Sequence, residues 1–258
     1  MLSKQAVCNQ VLSLEGASAQ ITSTERISKE IFSAVMGVLL VVSMLFVGRE
    51  AAVYVGSQNV VAEDPRPCVV VDAGHGGMDP GKVGINGALE KDLNLEIARL
   101  VRMFLEADDI RVVMTREADG GLYGTGASNK KVQDMKQRIA LITETQPNVA
   151  VSIHQNSYTE EYVRGAQVFY YTGSKEGQAL AESIQKRMVA TLDPGNSRQV
   201  KGNDSYYLLK KTDTPIVIVE CGFLSNQEES RKLCDPLYQE KVAWAIHLGI
   251  IQYLNSRD

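Results

Sequence analysis

The sequence has no excess of positive charge. Its 258 residues carry 27 Lys and Arg against 31 Asp and Glu, a net charge of −4. The paired bases, such as Lys130-Lys131 and Lys210-Lys211, are too short to make a stripe. No nucleic-acid surface is therefore expected. The sequence also lacks a CxxC pair and any zinc-ribbon spacing. Cys8, Cys68, Cys221 and Cys234 stand far apart, which points to free or buried thiols, with a Cys221–Cys234 bridge as the alternative. Internal repeats and low-complexity tracts are absent. With 44% apolar and 22% charged residues, the composition excludes collagen, coiled coil and bulk disorder. Histidine is scarce, with three in the whole chain, so the places where it falls are informative.

One long stretch lacks charge altogether. Residues 31–48, IFSAVMGVLLVVSMLFVG, are eighteen uncharged residues. At ~1.5 Å rise they reach about 27 Å, near the thickness of a bilayer core. The segment is expected to be a hydrophobic helix serving as a transmembrane anchor or as a secretory signal. The signal reading is weakened by the thirty-residue leader before it and by the lack of an A-x-A site after it. Lys4, Arg26 and Lys29 in the 1–30 leader favour a cytoplasmic N-terminus, with the rest of the chain outside. A start codon downstream of Met1 is an alternative account of the leader. Cys8 precedes the apolar run, so it is not a lipoprotein cysteine. Residues 49–67 are polar, contain two prolines and read as a linker.

From Cys68 onward strand and helix patterns alternate. CVVVDAG, Arg111–Thr115, Val149–Ile153, Gly165–Thr172 and Pro215–Glu220 are β-branched runs that predict strands. Helices are predicted over Glu90–Ala107, Val132–Glu144, Ser174–Leu192 and Asp235–Asn255, the third opening on a Ser cap. This order predicts a single α/β domain over 68–258, with a mixed, largely parallel sheet flanked by helices. The Gly-, Ser- and Thr-rich insert Ala118–Asn129 is expected to be a mobile surface loop.

In such sheets functional groups gather past the C-terminal ends of the strands. Three predicted strands end in groups that are expensive to bury without purpose: His75, His154 and Glu220. Two histidines and a carboxylate, with water in a fourth position, make a catalytic zinc site. Asp72 and Asp79 are candidates to accept the second ring N–H of a ligand histidine. Spacing alone does not choose among Glu90, Glu96 and Glu220 as the third ligand. Glu90 also has a plainer reading, as an acid at the positive end of its helix. His247, inside the last helix beside Trp244 and without an acidic companion in the pattern, reads as structural.

DAGHGGMDPG followed by Glu90, then SIHQN (Ser152–Asn156), RGAQVFYY (Arg164–Tyr171) and VECGFLSN (Val219–Asn226), resembles the zinc-dependent N-acetylmuramoyl-L-alanine amidases of bacterial cell walls. The resemblance covers about residues 68–255, and its motifs occur in family order. It implies that His75, Glu90 and His154 hold Zn²⁺ and that Glu220 is the catalytic glutamate. The implied substrate is peptidoglycan, cut at the amide between N-acetylmuramic acid and L-alanine. Asn156 is a candidate to orient ligands or substrate. NKKVQDMKQR (Asn129–Arg138), after the insert, is similar to the spore-cortex amidases and implies a role in cortex maturation. The chain carries no wall-binding repeats, so targeting falls to the N-terminal segment at the membrane, to the insert or to an accessory exported protein. The rivals are a catalytically inactive wall-binding or regulatory protein, and a cysteine hydrolase using Cys221.

Overall fold

The computed structural model describes residues 31–47 and 64–257. The 1–30 leader, Cys8 and most of the 49–67 linker lie outside the described residues. Helix α1 spans 31–47 and is exposed throughout. Its seventeen described residues, at ~1.5 Å each, reach about 26 Å. Among the described residues no helix is long and apolar enough to cross a membrane. The apolar helix expected within 31–48 forms over 31–47, and Gly48 lies outside the described residues.

A compact unit begins at Pro65. Its strands are β1 (Cys68–Ala73), β2 (Arg111–Met114), β3 (Val149–Asn156), β4 (Gln167–Tyr171), β5 (Lys201–Asn203) and β6 (Ile216–Phe223). They form one sheet in the order β2-β1-β3-β6-β4-β5. All neighbouring pairs are parallel except β4 with β6, so the sheet is mixed and largely parallel. The helices are α2 (Glu90–Ala107), α3 (Lys130–Thr145), α4 (Lys175–Leu192), α5 (Tyr207–Lys210), α6 (Gln227–Leu233) and α7 (Pro236–Asn255). Asn129, Ser174, Asn226 and Asp235 cap α3, α4, α6 and α7 by accepting a first-turn N–H on a side-chain oxygen.

Successive strand residues point to opposite faces of the sheet. One face carries Val69, Val71, Val149, Val151, Val217 and Val219, packed under residues of α2, α4 and α7. The other carries Val70, Ala150, Ile216 and Ile218, covered by Ile142 of α3 and Leu208 and Leu209 of α5. Along that second face the pattern turns polar toward the strand ends. Asp72 lies in register with Ser152, and His154 with Glu220. The fold thus brings chemistry-bearing side chains onto one face at one end of the sheet. His154 and Glu220 lie inside their strands rather than past them, because β3 runs to Asn156 and β6 to Phe223. The short elements β5, α5 and α6 had no sequence periodicity to announce them.

Candidate metal centre

His75 lies two residues past the end of β1 and adopts a left-handed backbone, φ 61°. A non-glycine residue in that region is strained by on the order of 1 kcal/mol, so neighbouring contacts must hold it there. Arg138 of α3 is one of them. Its guanidinium donates to the His75 carbonyl at 2.6 Å and to the Ala73 carbonyl at 2.8 Å. Arg116 donates to the carbonyls of Ala73 and Gly74 at 2.9 and 3.1 Å.

Three donor side chains converge in front of this turn. His75 Nε2 lies 3.2 Å from Glu90 Oε1, and His154 Nδ1 lies 3.0 Å from the same oxygen. The ligand atoms of His75, Glu90 and His154 all lie within 4.8 Å of one another. Donors around one tetrahedral ion at ~2.0–2.1 Å sit about 3.3 Å apart. Two imidazole nitrogens and one carboxylate oxygen at these separations could hold a divalent cation and leave a position open. The backbone is fitted to the rings as well. A Cβ at Gly74 would collide with the His154 imidazole, and one at Gly81 would strike Glu90.

Glu90, at the start of α2, is buried. Burial opposes its ionisation, but hydrogen bonds from His154 and His75 hold its carboxyl well below the usual carboxylate range. Its oxygens also accept from the backbone N–H groups of Gln155 at 3.1 Å and Lys82 at 2.8 Å. For His75 burial works against protonation, yet the hydrogen bonds and charges of Glu90 and Asp79 outweigh it and raise its pKa.

Of the two aspartates expected behind a histidine, only Asp79 stands there, with Oδ2 3.0 Å from His75 Nδ1. Asp72 does not. Strand alternation turns its carboxylate under α3, where Arg138, Thr115 and Ser152 all donate to it. Burial pushes Asp72 up, but Arg138 and the two hydroxyls overcome this and lower its pKa from 3.8 to about 2. Because the folded value lies below the unfolded one, Asp72 stabilises the fold above about pH 4 and loses that contribution as pH falls toward about 2. The loss is about 2 kcal/mol. Urea unfolding across that window should show it, and a flat profile would contradict the assignment.

Glu220 faces the same cleft, 8% exposed, and its Oε2 has no hydrogen-bond partner. Burial raises its pKa to about 7. Glu90 adds to the rise, while the two imidazoles pull against it. The cleft, about 530 Å³, is lined by His75, Glu90, His154, Glu220, Asn156 and Tyr206 among others. Asn156 lies on its wall, and its side-chain oxygen accepts from the Ser157 N–H at 2.8 Å.

Cys221 and Cys234 are free thiols, so the Cys221–Cys234 bridge is absent. Cys221 is buried, and burial pushes its thiol far above the ordinary range. That environment disfavours a thiolate and argues against the cysteine-hydrolase rival. His247 is buried against Trp244 and Phe104. It does have an acidic companion, Asp108, at 2.8 Å from Nε2. That partner is 139 positions away in the chain, beyond the reach of a local pattern.

The chain belongs to the family of N-acetylmuramoyl-L-alanine amidases, whose family model matches residues 69–252. Within it the chain is similar to the germination-specific N-acetylmuramoyl-L-alanine amidase of Bacillus subtilis (strain 168). The two are 38% identical over 192 residues, covering 73% of this chain and 80% of that protein. Among solved structures it is similar to the CwlD amidase from Clostridioides difficile in complex with the GerS lipoprotein. That match has a TM-score of 0.72 at 39% identity and covers 74% of this chain and 100% of the other. An N-acetylmuramoyl-L-alanine amidase from Clostridium difficile 630 matches with a TM-score of 0.66 at 30% identity, covering 75% and 99%.

Proposed function

We propose that residues 68–258 form a zinc amidase domain that hydrolyses the amide joining the lactyl group of N-acetylmuramic acid to the L-alanine of the stem peptide. His75, Glu90 and His154 hold the ion. The observation that carries this reading is their convergence beside Glu220, a buried carboxyl with an unpartnered oxygen. Zn²⁺ at such a site supplies Lewis acidity toward an amide carbonyl and toward water.

The chain's own groups do the rest. Glu220 accepts a proton from the attacking water as its oxygen bonds to the carbonyl carbon. It then delivers a proton to the departing alanine nitrogen as the C–N bond breaks. Asp79 receives the Nδ1–H of His75 and fixes the tautomer that leaves Nε2 free. The backbone N–H groups of Gln155 and Lys82 hold the Glu90 carboxylate in place. Asn156, on the cleft wall, orients substrate. No acyl-enzyme forms, so no nucleophilic Ser or Cys is required. Digestion of purified peptidoglycan should stop on addition of a zinc chelator and continue after thiol alkylation; the reverse pattern would overturn the reading.

The substrate lies outside the cytoplasm, and the uncharged helix at 31–47 supports export of the chain by way of the membrane, with 49–67 as the tether. Fractionation that finds the mature chain in the cytoplasm would contradict this. The similarity to a germination-specific amidase supports spore cortex as the wall acted on. CwlD was solved together with a lipoprotein. We extend that arrangement to this chain and propose an accessory exported protein as partner. A purified chain that digests native cortex as fast alone as with its exported neighbours would exclude the need for one.

A further inference from the structure

The insert Ala118–Asn129 has no task in the chemistry above, yet it is not a free loop. Asp119 Oδ1 accepts from the Gly77 N–H at 2.9 Å, and Oδ2 takes the Lys91 ammonium at 2.7 Å. The same ammonium donates to the Gly77 carbonyl at 3.0 Å. The Tyr123 hydroxyl accepts from the Met78 N–H at 2.9 Å. The insert is itself tied to α3. Asp134 and Gln133 accept from the N–H groups of Leu122 and Gly124 at 2.6 and 3.3 Å.

The segment so gripped is the turn 76–78. Gly76 and Gly77 have φ of 131° and 56°, and two consecutive glycines give a turn little stiffness of its own. The insert fits it closely. A Cβ at Gly76 would collide with the Gly120 carbonyl oxygen, and one at Gly77 with the Tyr123 hydroxyl. The turn ends at Asp79, which exchanges N–H···O bonds of 3.0 and 3.1 Å with Gly76 and orients the His75 ring. A continuous path of contacts therefore runs from the insert through the turn to Asp79 and His75.

We propose that Asp119 and Tyr123 are positioning residues of the metal centre: by gripping the 76–78 turn they keep the Asp79 carboxylate on His75 Nδ1, and so keep Nε2 presented to the cation. The inference rests on the zinc reading of the site. Neither side chain touches the proposed ligands. Asp119 is exposed and Tyr123 half-buried, so trimming them does not open the core.

The test is zinc affinity, read by competition with a chromophoric chelator, for the full chain and three variants. The first is Asp119→Asn with Tyr123→Phe, the second Asp79→Asn, and the third all three changes together. Removing an outer hydrogen-bond partner of a ligand costs about 10–100-fold in metal affinity. The double variant should lose about tenfold, the low end of that range, and Asp79→Asn at least as much. The triple variant should bind no more weakly than Asp79→Asn alone, because the insert acts through Asp79. The melting temperature of the metal-free double variant should match that of the metal-free parent. Parental zinc affinity in the double variant, or losses that multiply in the triple variant, would overturn the inference. An unmutated chain that binds no zinc would instead overturn the site reading on which it rests.

Discussion

Replacing Glu220 with Gln should lower the turnover of muropeptide substrates by about 10²–10⁴-fold, the usual contribution of a general acid–base residue. That corresponds to about 3–5 kcal/mol of transition-state stabilisation. Gln conserves the volume and keeps a hydrogen-bonding oxygen, but it cannot take up and return a proton. The physical basis is the environment of the carboxyl. Glu220 sits inside β6, in register with His154, buried, with one oxygen unpartnered. Its pKa of about 7 lets it hold or release a proton near neutral pH. Because Glu220 is not one of the three converging donors, the variant should bind zinc at the parental stoichiometry. Metal analysis with single-turnover kinetics would check both halves. Parental turnover, or loss of metal along with activity, would remove Glu220 from the role assigned to it.

Replacing His154 with Ala should remove metal and turnover together. The imidazole is one of three proposed ligands and stands edge-on to His75, ring centroids 5.0 Å apart. Apparent zinc binding free energies of ~10–16 kcal/mol, shared among four ligands, put about 3 kcal/mol on each. The variant should therefore bind zinc about 100-fold more weakly or worse. Gly74 packs against that ring and adds no side chain to fill the gap. Chelator competition would measure the affinity, and muropeptide release the turnover. A His154→Ala chain that kept both would show that the three side chains do not act on one ion. The two substitutions are thus expected to differ in kind: Glu220→Gln spares the metal and His154→Ala does not.

How much of this was legible in the sequence varies by residue. His75, His154 and Glu220 could be singled out because each is costly to bury and each adjoins an apolar β run. The parallel topology then carries them to one end of the sheet. The choice of Glu90 needed the family motif, since spacing left Glu96 and Glu220 open. Arg138 went unnoticed although it lies on the buried side of α3, four residues before Ile142. A guanidinium on an apolar stripe is stable only with partners, and its main one, Asp72, is 66 positions away. The same pairing draws the Asp72 carboxylate to Arg138 rather than to a histidine ring. The insert was expected to be mobile from its Gly and Ser content. Its structure instead depends on two side chains, Asp119 and Tyr123, that find backbone groups more than forty positions away. Local composition does not encode contacts of that range. The apolar run at 31–48 was legible from its lack of charge, and a helix is described over 31–47.

The central claim is that these residues cleave one particular amide with water. The most direct measurement is mass spectrometry of muropeptides released from purified peptidoglycan by the zinc-loaded protein in ¹⁸O-labelled water. Free stem peptides beginning at L-alanine, with one heavy oxygen in the lactyl carboxylate of the glycan and none in the peptide, are the expected products, and chelation should abolish them. Cleavage within the glycan or between stem residues, or release that persists after chelation, would contradict the account.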